Sequence, residues 1–68
     1  MVNGRNEEYI VVFGDAQYHP ESYVHSCRQR FLHIKDARYY ARCFRHAYIF
    51  KVHYDKWGDV SNVKEMSR

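Results

Sequence analysis

Two cysteines and five histidines are the residues in this chain best suited to chemistry, and their spacing raises the question of a metal. His25 with Cys27 forms one close pair, and Cys43 with His46 at i,i+3 forms another. A structural zinc needs four convergent ligands, so the second pair would have to meet Cys27 together with His25 or His33. The simpler reading makes both thiols small apolar groups at the edge of a core and leaves the imidazoles scattered over turns and surface. No metal and no cofactor is assigned. Nucleophilic chemistry has less support. Ser22 with His25 would give a nucleophile and a base, and His53 with Asp55 an oriented imidazole. The chain has no Gly-x-Ser-x-Gly elbow, no phosphate-cradling glycine loop and no His-Glu-x-x-His helix. The expectation is a protein that is not an enzyme.

Cations carry the stronger pattern. Glu7, Glu8, Asp15 and Glu21 make the first third acidic, whereas Arg28, Arg30, Lys35, Arg38, Arg42, Arg45 and Lys51 share their stretch with Asp36 as its acid. The net charge is only +3, so the asymmetry matters more than the sum. A basic middle suggests an anionic partner, although an ordinary solvated face has the same composition. On a helical wheel Lys35, Arg38, Arg42 and Arg45 fall in one stripe. Arg38 and Arg42 at i,i+4 repel each other slightly, so helix stability does not ask for both. The expected contact surface is Arg38, Arg42 and Arg45, then Lys35, Arg28 and Arg30, with Tyr39 and Trp57 as aromatic anchors.

The elements that must position these residues can be read from periodicity. Tyr9 to Phe13 is a strand by its β-branched and aromatic density. Ala16 to Glu21, with Pro20 inside it, predicts a hairpin loop. Tyr23 to Phe31 then reads as a second strand, antiparallel to the first, its Arg28-Gln29-Arg30 half forming an exposed edge. His33 to Arg45 predicts an amphipathic helix that buries Ala37, Tyr40, Ala41 and Phe44, with Ile34 beside them. Asp36 suits the first turn, whereas His33 is a weak N-cap. Ala47 to Tyr54 alternates with period two and places Tyr48, Phe50, Val52 and Tyr54 on one side. A turn using Gly58 at positive φ returns the chain into a last strand, Val60 to Met66.

The expected fold is therefore α+β, one small domain in which an antiparallel sheet of three to four strands carries one amphipathic helix, in the order β-β-α-β-β. Residues 1–7 are expected as a flexible N-terminus, 8–66 as the domain and 67–68 as a flexible tail. A chain of 68 residues encloses only a thin core. Seven Tyr, four Phe and Trp57 must supply much of its buried area, and they outnumber what one thin core would hold. The polar start carries no secretory signal, and the run Tyr9 to Phe13 is too short to cross a membrane. A cytoplasmic protein with free thiols is expected.

The pattern His33-Ile34-Lys35-Asp36-Ala37 with Ala41, then Phe44 and the strand Tyr48-Ile49-Phe50-Lys51-Val52, resembles many short bacteriophage accessory proteins, some anti-CRISPR proteins among them. The likeness spans most of the chain from Tyr9 onward and lies in length, element order and helix register. It implies a non-enzymatic inhibitor, acting in the host cell cytoplasm, that occupies a functional surface of a host defence complex, often a nucleic-acid path. The partner would be a host protein or ribonucleoprotein, and the inhibitor a monomer or homodimer. The alternative is a small nucleic-acid-binding protein that contacts phosphates through the same basic stripe. A third class is a homo-oligomer that sequesters an anionic nucleotide.

Overall fold

The computed structural model describes residues 6–68. Its strands are β1 (Glu7–Phe13), β2 (Arg30–Phe31), β3 (Ala47–Tyr54) and β4 (Val60–Met66), and α1 (Ile34–Ala41) lies between β2 and β3 in sequence. They form a four-stranded antiparallel sheet in the order β2-β1-β3-β4. The α+β fold and the β-β-α-β-β order are as the sequence predicts, and β3 and β4 have the expected bounds.

The central strands are buried on both faces, and their alternation assigns the two halves of the core. Val11, Ala47 and Ile49 point toward α1 and pack with Ala37 and Ala41, with Tyr9, Phe31, Ile34, Tyr40 and Met66 around them. Ile10, Val12, Phe50 and Val52 point the other way and enclose Val24, with Tyr48 and Tyr54 at the margin. Ala37 and Ala41 are 0% exposed. With only a methyl at each contact, α1 can lie close against the sheet.

The expected hairpin and long second strand are corrected. Gly14–Tyr18 and Pro20–Tyr23 are 3-10 turns, and only Arg30–Phe31 pairs with β1, through Tyr9 and Ile10. Between them the chain crosses the sheet face opposite α1, where Val24 is 0% exposed. Local bonds replace a ladder: the Ser22 N–H donates to His19 C=O and the Cys27 N–H to Tyr23 C=O. On the outer edge of β1, the Cys27 thiol donates to Val11 C=O at 3.2 Å, and the Val11 N–H donates to Gln29 C=O. These bonds take the place of a longer second strand.

The helix is also shorter than its periodic pattern. After Ala41 the Cys43 N–H donates to Tyr40 C=O and the Phe44 N–H to Ala41 C=O, which tightens the exit. Phe44 still packs with the helix-side aromatics, 5.1 Å from Tyr40 and 5.2 Å from Phe13 between ring centroids. His33 is the N-cap and makes no side-chain cap bond. Two boundaries move. Glu7, expected in a flexible start, pairs with His53 within the sheet, while residues 1–5 of that segment lie outside the described residues. Ser67 and Arg68, expected as a flexible tail, are held by hydrogen bonds. The Ser67 C=O accepts one from Arg38, and Arg68 donates to the carbonyls of Phe44, Arg45 and Ala47.

Candidate functional site: a cationic helix face

Burying Ala37 and Ala41 fixes the rotation of α1, and that rotation decides which cations emerge. Lys35, Arg38 and Arg42 come out along one flank and line a single surface depression with Tyr39. At a rise of 1.5 Å per residue they spread over about 10 Å of helix axis. Lys35 and Arg42 are exposed and Arg38 half-buried, while Tyr39 is 77% exposed. Among the described residues none of the three cations has a carboxylate at ion-pair distance. Arg38 Nε donates to Ser67 C=O at 3.2 Å, which turns this flank of α1 toward the end of β4.

Two further cations join this side without having been singled out in the sequence. Met66 packs in the helix-side core, so Lys64, two residues earlier on β4, projects from the same sheet face. Arg68 Nη1 lies 2.9 Å from Arg45 C=O and 3.0 Å from Ala47 C=O, and Nη2 lies 3.1 Å from Phe44 C=O. Carbonyls just beyond a helix C-terminus are electronegative, and here a guanidinium covers them. The Arg68 contacts reach back more than twenty residues and have no local sequence signal. Lys64 could have been found by counting back from Met66 in steps of two.

The other expected contact residues lie elsewhere. Arg45 is exposed in the turn before β3. Arg28 is exposed and borders a different cleft, of about 520 Å³, beside the outer edge of β1 with Phe13, Ala16, Tyr23 and Cys27. Trp57 is 75% exposed at the β3–β4 turn, with Lys56 Nζ 4.6 Å from its ring centroid. The whole length of β3, roughly 25 Å, separates that turn from Arg42 and Arg45. Trp57 thus sits at the other end of β3 from Arg42 and Arg45.

Arg30 is half-buried and lies apart from the α1 flank, held in a side-chain cluster of its own. Its register with Ile10 points it to the face opposite α1. There Nη2 lies 2.8 Å from Glu8 Oε2 and 2.9 Å from the Tyr54 hydroxyl, Nε is 3.1 Å from Glu8, and Nη1 donates to the carbonyls of Cys27 and Val24. The Tyr54 hydroxyl donates to the same Glu8 oxygen. Burial alone would raise the Glu8 carboxyl, but the Arg30 and Tyr54 hydrogen bonds and the Arg30 charge outweigh it and hold it below its ordinary value. Burial and the Glu8 carboxylate push the Tyr54 hydroxyl above its own. The cluster ties β1, β3 and the 24–30 segment together.

The imagined chemical pairs are not assembled. His53 Nδ1 lies 3.5 Å from Glu7, while the Asp55 carboxylate accepts the N–H groups of Trp57 and Asp59 and shapes its own turn. Cys27 is half-buried and Cys43 exposed, both as free thiols. Among the described residues no three His, Cys, Asp or Glu side chains gather as a metal site. Nor is any described helix long and apolar enough to cross a membrane.

Comparison of the chain with protein-family models, curated proteins and solved structures finds no match.

Proposed function

We propose that this protein acts by binding rather than by catalysis, and that it covers an anionic macromolecular surface with the cationic flank of α1. Joined to the likeness in layout to bacteriophage accessory proteins, this becomes an inhibitor that binds an anionic element of a host defence complex and so blocks its nucleic-acid path. One observation carries the reading. Lys35, Arg38 and Arg42 border a common depression around an exposed Tyr39, and among the described residues no carboxylate neutralises them.

Physical reasons favour binding at such a place. Arg and Tyr supply large contact area with directional hydrogen bonding and are common interface anchors. A protein of this size inhibits most readily by steric and electrostatic occlusion, since one compact interface can cover a groove. The test is comparative affinity capture from bacterial lysate with the wild type and the double variant Arg38→Glu/Arg42→Glu as baits. The reading expects a specific defence-complex component that the wild type retains and the variant loses. Equal retention by both baits would refute it.

A further inference from the structure

Resting on the reading of the α1 flank as the binding surface, we infer that the anionic element it takes is a nucleic-acid strand with unpaired bases. The cations along α1 match the length of such a ligand. A stacked strand carries one phosphate per about 3.4 Å, so the about 10 Å from Lys35 to Arg42 covers about three phosphates. Lys64 on the same sheet face extends the positive field beyond the helix. Arg68 over the carbonyls of Phe44, Arg45 and Ala47 removes a patch that would repel phosphate next to Arg42.

Tyr39 distinguishes this ligand from other polyanions. Its side chain is largely exposed among three cations, bordering the same depression. Packing does not hold it there, because the α1 contacts with the sheet are made by Ala37, Ala41, Ile34 and Tyr40. An aromatic face flanked by phosphate-binding groups stacks on an exposed base, whereas a duplex keeps its base faces covered and an acidic protein has none to offer. Arg38 is also partly ordered before any ligand arrives, since Nε is anchored on Ser67 C=O. Its terminal nitrogens therefore start from a restricted set of positions.

Fluorescence polarisation tests this with a labelled oligo-dT or oligo-U strand of about 12 nucleotides, against a duplex of equal length and heparin, a polyanion without bases. The single strand is expected to bind tightest, with log K falling by about 2 per decade of salt for about three phosphate contacts. Tyr39→Ala should weaken the single strand about tenfold with the salt slope unchanged, and Tyr39→Trp should keep the affinity. Heparin or duplex binding as tightly as the strand would overturn the inference, as would an unchanged affinity for Tyr39→Ala. If no oligonucleotide binds while Arg38→Glu/Arg42→Glu still loses its captured host component, the surface takes an acidic protein. That outcome rejects the strand and keeps the binding face.

Discussion

Arg30 on β2 and Glu8 on the neighbouring strand β1, far apart in sequence, meet at 2.8 Å between Nη2 and Oε2. Tyr54 from β3 joins them, and the carbonyls of Val24 and Cys27 accept the other side of the guanidinium. One side chain thus pins an irregular segment to the sheet face that carries no α-helix. The 3-10 turns and the loop after them have little regular pairing of their own, so this cluster and the burial of Val24 add to the bonds that Cys27 and Gln29 make with β1.

Replacing Arg30 by Met should therefore destabilise the fold by about 2 kcal/mol, the scale of hydrogen bonds to a charged group in a partly exposed setting. Urea denaturation would measure it. Lys at the same position restores the charge but not the fork that serves Glu8, Tyr54 and two carbonyls, and it should recover only part of the loss. A loss below about 0.5 kcal/mol would show that the cluster is incidental.

Glu8 makes stability depend on pH in a predictable direction. Its folded value lies below the ordinary 4.5, so the carboxylate's contribution is complete above about that pH in the unfolded chain and is lost as pH falls through the lower folded value. Tyr54 acts at the other end. Its folded value lies above 10.0, so its contribution is complete below that pH and is lost as pH rises through the folded value. Denaturation midpoints between neutral pH and about pH 3, compared with Glu8→Gln, should show a steeper acid decline in the wild type. Parallel curves would contradict the assignment.

Ala37 and Ala41 control how near α1 sits to the sheet. Ala37→Leu should cost about 1–3 kcal/mol, because the added atoms must push α1 away from the sheet at a position that is 0% exposed. The matching substitution at exposed Tyr39 should cost under about 0.5 kcal/mol. Thermal melts of the two variants side by side would test whether the face facing the sheet is as described.

Much of this was legible in the sequence because it rests on local periodicity. The alternation of Tyr48, Phe50, Val52 and Tyr54 gave β3 its faces, and Ala37 with Ala41 oriented α1. Gly58 does take positive φ, at 85°, in the turn it was expected to shape. The misreadings share another cause. Tyr23 to Phe31 has the composition of a strand, but Val24 is drawn into the second half-core and Cys27 bonds to β1 through its side chain, which no local pattern reports. Arg30 was grouped with the other cations because charge alone does not separate a solvated guanidinium from one facing Glu8. The step-two alternation that puts Glu8 on the side of Ile10 was the available hint. Arg68 had no hint at all, since its partners are distant in the chain.

The position of the charge, rather than its amount, is the central claim, and charge reversal at matched sites tests it most directly. Arg38 and Arg42 lie on the flank of α1 turned toward β4, while Arg28 lies beyond β1 at the opposite edge of the sheet, near β2. Equilibrium affinity for the captured partner should fall at least about tenfold for Arg38→Glu/Arg42→Glu, about 1.4 kcal/mol, with the melting temperature preserved, and should change little for Arg28→Glu. Equal losses per charge reversed at the two places would mean that only net charge matters, and would contradict a binding face on α1.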